Sequence, residues 1–208
     1  MPTGVAIRDV REQLFGAAER VLLRDGPSAL TSRAVTTEAG CAKGVLHRHF
    51  ADFDAFLAEL VLDRIQRIDG QAAALRAAAG TGTVEGNLTR ALTDLFGPVA
   101  VAIVALVISR DGLRARLRQA EITGVPLLSQ GATMISSYLA DEREMGRIAA
   151  DADVEALALT LIGAAHLLFA DGEGGVLLAG GEGGVPEADA VHRVVTTVMA
   201  DVVQRRLL

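Results

Sequence analysis

Two segments of about two helical turns each, one from Thr31 to Ala39 and one over residues 42–49, are joined by a tight turn at Gly40 and follow a longer amphipathic stretch. Three helices in that order form the pattern of a helix-turn-helix. The long stretch is set by Ile7, Val10, Leu14, Ala18 and Val21, which recur at spacings of three and four, and Gly26-Pro27 stops it. Thr31 is a good N-cap for the first short helix. The second is unusual for an acidic chain, since it gathers Lys43, His47, Arg48 and His49 around Leu46 and Phe50. An eight-residue helix is roughly 12 Å long, comparable with the width of the B-DNA major groove. In such a helix Leu46 and Phe50 turn back toward Val35 and Ala39, while Lys43 and His47 share another face, flanked by Arg48 and His49. The competing reading of these residues is an αα-corner with a solvated basic face.

The remainder supports an all-α chain, because β-branched residues nowhere alternate with polar ones over a long run. Asp52 caps a helix that runs on to about Ala78, with Asp54 in its first turn where the helix dipole favours an acid. Further helices are expected over about 84–96, over the apolar 99–109, from near Pro126 to Glu144, and from Asp153 through Leu168. The charged segment 110–121 reads as a surface helix or turn, and Arg110, Arg114, Arg116 and Arg118 within it as a solvated face. The glycine-rich residues 172–184 read as a loop, and Pro186 as the first position of the last helix. With 208 residues, half of them hydrophobic, the chain can bury one sizeable core or two small ones.

The formal charge is −6, yet residues 1–68 balance nine Lys/Arg against nine Asp/Glu, so the acid excess lies behind the basic cluster. A protein that coats nucleic acid indiscriminately is thereby disfavoured, though a local basic patch is not. The single cysteine, Cys41, rules out an internal disulfide and points to a reducing cytoplasm. The longest apolar run, 99–108, is shorter than the ~20 residues a bilayer requires, so no membrane partner is expected.

The stretch TSRAVTTEAGCAKGVLHRHFADFDAFL, residues 31–57, resembles the helix-turn-helix of TetR-type transcriptional regulators. The likeness covers residues 8–68 well and the rest in outline. It implies a three-helix DNA-binding domain at 1–51 and a larger helical domain at 52–208 for ligand binding and dimerisation, with 52–78 as the connecting helix. It also implies that Arg33, Lys43, Val45, His47, Arg48 and His49 contact DNA, with Thr31 and Ser32 at phosphate-contacting positions of a helix start. The implied partners are a palindromic operator in double-stranded DNA, a small apolar effector, and a second copy joined through the last two helices. Four residues depart from the family pattern: Ala42 replaces a usual capping Ser, Val45 a common Thr, His47 a Tyr, and Phe53 a common phosphate-binding Lys. Each removes or alters a polar contact, so weaker or differently specified DNA binding is expected.

For a ligand cavity the expected lining is Phe96, Tyr138, His166 and Phe169, an apolar wall with a few polar tips. Leu159, Ile162, His166 and Phe169 share one helical face by spacing, so His166 is either a packed core or interface residue or a polar anchor for a ligand. Small residues at Gly163, Ala164 and Ala165 favour close approach of another helix. Cys41 occupies a position for a small hydrophobe and reads as a buried, inert thiol, the alternative being a redox sensor. No catalytic constellation, metal-spaced cluster or cofactor-binding motif is present, and the carboxylates of 141–147 and 151–155 read as helix-end caps. The rival to a regulator is a helical carrier or enzyme with a degraded helix-turn-helix; a third reading is an interaction module that dimerises without a ligand.

Overall fold

The structure is a computed structural model, and it describes residues 4–171 and 188–204. Ten α-helices and one 3-10 turn account for the ordered elements among them, with no strand. The expected loop at 172–184 and the helix start at Pro186 lie outside the described residues.

The helices are α1 (Gly4–Asp25), α2 (Ser32–Glu38), α3 (Gly44–His49), α4 (Phe53–Ala77), α5 (Val84–Leu95), α6 (Pro98–Ser109), α7 (Asp111–Gln119), α8 (Leu128–Glu144), α9 (Val154–Asp171) and α10 (Ala188–Gln204). Their ends follow the capping chemistry in the sequence. Thr31 accepts from the Ala34 amide at 3.2 Å, Asp52 from the Ala55 amide at 2.8 Å, and Asp153 from the Ala156 amide at 3.0 Å. The α3 helix is shorter than expected, six residues instead of eight.

Two compact units pack separately, one of Met1–Arg64 with Ala102–Pro126 and one of Ile65–Val101 with Leu127–Leu208. In the first, α1, α2 and α3 close around Leu14, Ala18, Val21, Val35 and Leu46, all fully or almost fully buried. Phe15, Phe50 and Phe56 add an aromatic cluster to this core, with Phe50 edge-on to Phe56 at 5.0 Å between ring centres. Polar ties brace it at the rim: Arg11 pairs with Glu59 and lies over the Phe50 ring, Arg64 donates to Glu19 at 2.6 Å, and Gln13 donates to the Ala39 carbonyl at 2.7 Å.

In the second unit α8 packs on α9, and α10 on α5 and α9. Leu88, Leu92, Leu139, Leu161 and Val195 are its fully buried aliphatic centre. Asn87, Tyr138 and Glu142 form a polar network inside it, as burial of polar groups favours. Asn87 donates to the Tyr138 hydroxyl at 3.1 Å and to the Ala78 and Thr81 carbonyls. Glu142 belongs to the same interior and is not the helix-end cap expected. It is wholly buried, accepts from the Gly80 amide at 3.3 Å, and pairs with Arg147 at 3.0 Å. Among the described residues no single helix is long and apolar enough to cross a membrane.

Candidate functional site

The turn between α2 and α3 is what aims the basic helix. Gly40 sits at φ 66, its amide bonds to the Thr37 carbonyl and that of Cys41 to the Thr36 carbonyl. This is the Schellman arrangement, in which a left-handed residue just past the helix satisfies two orphan carbonyls. No atom lies within 4 Å of where a Cβ on Gly40 would stand, so glycine is required there by backbone conformation and not by crowding. The α2 helix is in turn clasped to α1 by Glu38, which accepts from Arg20 at 2.8 Å and Arg24 at 2.9 Å. Those two hydrogen bonds, Arg20 foremost, hold the Glu38 carboxyl below its ordinary range.

On α3, Leu46 is fully buried, while Lys43, His47 and Arg48 are exposed and Val45 and His49 are half-buried. His47, Arg48 and His49 occupy the last turn, where the helix dipole favours positive charge. On α2, Thr31 and Arg33 are exposed, whereas Ser32 is half-buried with its Oγ buried and without a hydrogen-bond partner. The eight residues therefore fall on the starts and exposed faces of two neighbouring short helices. Ala42 leaves α3 without a side-chain cap at its N-terminus. Cys41 is partly exposed, and so is not the buried thiol expected from its position.

The sharpest difference from expectation concerns α7. Its arginine run is not a solvated face: Arg110 donates to Asp54 at 2.5 Å, Arg116 pairs with Asp52, and Arg114 pairs with Asp111 and reaches the Val107 and Ile108 carbonyls. Leu113 and Leu117 on the same helix are buried. Asp52 and Asp54 thus serve twice, as cap and dipole partner of α4 and as acceptors for α7. Phe53 lies between them, stacked on Phe56 at 5.7 Å and beneath the Arg110 guanidinium at 5.1 Å. A side chain on Gly112 would run into the Asp54 carboxylate, so a substitution there displaces that carboxylate. The sequence signal for this clamp is slight: a pair of acids two apart at a helix start and a glycine early in an arginine-rich helix.

Of the arginines whose side chains are described in this unit, Arg11, Arg20, Arg24, Arg64, Arg110, Arg114 and Arg116 form ion pairs. Arg33, Arg48 and Arg118 form none among the described residues.

In the second unit Phe96, His166 and Phe169 come together, with Phe96 at 5.9 Å from the imidazole and 5.8 Å from the stacked Phe169 ring. The His166 Nδ1 atom is buried and unpartnered, and desolvation pulls its pKa below the ordinary histidine value. Tyr138 does not share this cluster's contacts; it is fully buried in the Asn87–Glu142 network, where burial first and the neighbouring Glu142 second push its pKa up. Leu159 stands 69 % exposed, in contrast to Ile162 and Phe169, and so is not on the packed face. Residues 159 and 166 align about 60° from residues 162 and 169, and the boundary of burial falls between the two pairs. A cleft of about 140 Å³ in this unit is lined by Leu75, Ala78, Asn87 and Ala91 among others, and by none of the four ring residues. Among the described residues no group of three or more His, Cys, Asp or Glu is placed to hold a metal ion.

Residues 14–60 match the family model of bacterial regulatory proteins, tetR family. None of the curated proteins matches the chain. The fold is shared with solved regulators. A putative TetR-family transcriptional regulator from Mesorhizobium loti is 17 % identical, with 96 % of each chain covered and a TM-score of 0.66. The regulator FadR from Bacillus subtilis, solved with stearoyl-CoA, is 14 % identical over 92 % of this chain and 98 % of its own, at 0.67. The multidrug binding protein EbrR, solved with imidazole, is 20 % identical over 91 % and 94 %, at 0.58.

Proposed function

We propose that this chain, which carries the tetR-family helix-turn-helix on the all-α fold of tetR-family regulators, is a ligand-responsive repressor that binds a palindromic operator as a homodimer. The observation that carries the DNA reading is the selective pairing of charge. Seven described arginines of the first unit are neutralised by carboxylates, whereas Arg33, Lys43 and Arg48 stand exposed on and beside α2 and α3 with no ion pair among the described residues. Those three free cations fall together on the two helices of the helix-turn-helix, the distribution that a DNA-reading surface needs. Arg48 has the planar fork that pairs with guanine, Val45 suits a thymine methyl, and Lys43, His47 and His49 approach base edges or phosphates. Thr31, Ser32 and Arg33 fix the register on the backbone.

Residues 1–51 are assigned the DNA-reading role, and residues 52–208 effector binding and dimerisation, with 52–78 as the connecting helix. For dimerisation α9 offers an exposed face of small residues, Ala156, Gly163 and Ala170, between Leu159 and Leu167, the latter 65 % exposed. Two copies packed there with α10 form a four-helix arrangement, and two recognition helices then reach half-sites about 34–36 Å apart. The effector is an apolar small molecule that meets Phe96, His166 and Phe169, while Tyr138, bonded to Asn87, stands outside that cluster. It acts by binding one spacing of the recognition helices better than the other, which shifts the dimer by that difference in affinity. FadR and EbrR, solved with small molecules, are neighbours in fold that support this reading.

Selection of bound sequences from a random duplex pool, using the purified full chain, tests it. A two-fold symmetric consensus whose affinity falls steeply with salt is the expected result. Enrichment of no sequence overturns the regulator reading in favour of a carrier with a degraded helix-turn-helix.

A further inference from the structure

The first compact unit contains a cavity that the DNA-reading face does not use. It lies where the end of α6, α7 and the residues after α7 converge, and it measures about 270 Å³, just below the ~300–1,000 Å³ typical of small-molecule sites. Val107, Leu117 and Pro126 are buried in its lining, and Ile122 is half-buried. At its mouth Ile108 and Val125 are 58 % and 36 % exposed. An exposed aliphatic side chain is ordinary when it stands alone. Here two of the six large hydrophobic residues exposed among those described open on the same cavity, so the apolar wall continues to the surface.

Thr123, Gly124 and two arginines complete the lining, and the arginines differ. Arg114 is committed to Asp111 and to the Val107 and Ile108 carbonyls. Arg118 is exposed, lines the cavity, and is the one α7 arginine without an ion pair among the described residues. An apolar pocket with a single free guanidinium at its edge is complementary to a molecule with an apolar body and one anionic end.

We propose that this corner of α6 and α7 binds a small carboxylate amphiphile, its apolar part against Val107, Leu117 and Ile122 and its carboxylate on Arg118. The site is separate from the Phe96, His166 and Phe169 cluster, and binding there does not require the DNA-reading role to hold. The volume suits a chain on the order of ten carbon atoms better than a long acyl chain, given roughly 30 Å³ for a molecule the size of water.

Titration calorimetry on the full chain with decanoate, decanol and decylammonium, each below its micelle concentration, tests the claim. Decanoate is expected to bind about tenfold more tightly than decanol, the usual worth of a charge-assisted hydrogen bond, and decylammonium more weakly still. Arg118→Gln should bring decanoate down to the level of decanol, and Ile108→Asp should weaken all apolar probes and decanoate most. Both positions are exposed, so neither substitution opens a hole in the core, and circular dichroism verifies the fold. Absence of decanoate binding overturns the proposal, as does equal binding of decanoate and decanol. Binding that survives both substitutions unchanged locates the occupant elsewhere and overturns it equally.

Discussion

Helices α3 and α7 are both short and both basic, yet the structure uses their charges in opposite ways. Just before α7 and along it, Arg110, Arg114 and Arg116 are each held by an aspartate. On α3, Lys43 and Arg48 face outward with no partner among the described residues. The difference lies in what the apolar residues of each helix bury against. Leu46 seats α3 with its basic side turned away from the three-helix core, whereas Leu113 and Leu117 seat α7 beside the acidic start of α4. A basic run is thus clasped or left free according to where its neighbours put the carboxylates.

The largest expected effect tests whether the two helices really divide these roles. Arg48→Ala should weaken binding to the selected duplex by about 5- to 150-fold, the range for loss of a bidentate base contact, and relax preference at one base pair. Arg118→Ala should change it less than about twofold. Lys43→Ala should lower affinity evenly across sequences and reduce the slope of log affinity against log salt by roughly one. Equal losses from Arg48→Ala and Arg118→Ala, measured by fluorescence anisotropy, would break the comparison.

The clasp comes next. Removing Arg110 or Arg116 should cost about 1 kcal/mol each or less, since the side chains of the pairs are between 31 % and 48 % exposed and partly screened. Gly112→Ala keeps every charge and displaces the Asp54 carboxylate; it should therefore lower the melting temperature in the same direction as Arg110→Ala. Combining it with Arg110→Ala should add little, because both act on one contact. Full additivity in thermal melts would mean that Gly112 matters for another reason.

How much of this was legible beforehand depends on the range of the interaction. Thr31, Asp52 and Asp153 announce the helix starts, and Gly40 the turn, because capping and left-handed backbone are local chemistry. The outward face of α3 followed from the four-residue spacing of Leu46 and Phe50. The pairing of Arg110 and Arg116 with residues 56 and 64 positions earlier did not, since nothing in a charge run names its distant partner. Nor did the burial of Glu142, which requires Arg147 and the Gly80 amide to converge on it. Leu159 was misplaced for a subtler reason: a three-or-four spacing defines a helical face only to within about 100°, and the edge of burial on α9 falls inside that width.

Ala42 sharpens the comparison at a smaller scale. Lys43 already has helical angles, φ −48 and ψ −34, so Ala42 stands where a capping side chain would act. Ala42→Ser should stabilise the chain by roughly 0.5–1 kcal/mol and raise DNA affinity by no more than a few-fold, through a better ordered α3. A change in base preference with this substitution would show that residue 42 touches DNA directly.

The smallest effect is a test of pH, and it isolates a clasp from a binding face. Glu38 is held by Arg20 and Arg24 with its pKa depressed in the folded chain. A group of that kind contributes stability that is fully present above the ordinary carboxylate pKa, about 4.3, and is lost as pH falls through the lower folded value. Melting temperature should therefore decline more steeply below about pH 5 in the parent chain than in Glu38→Gln, whose amide does not titrate. At neutral pH Glu38→Gln should be slightly less stable, and the two curves should converge in acid. Exposure keeps the difference small, since solvent screens the pair. If instead the curves run parallel throughout, the arginines of α1 are not drawing on the Glu38 charge, and the orientation of α2 rests on the Gln13 bond to Ala39 and on the buried Val35 alone.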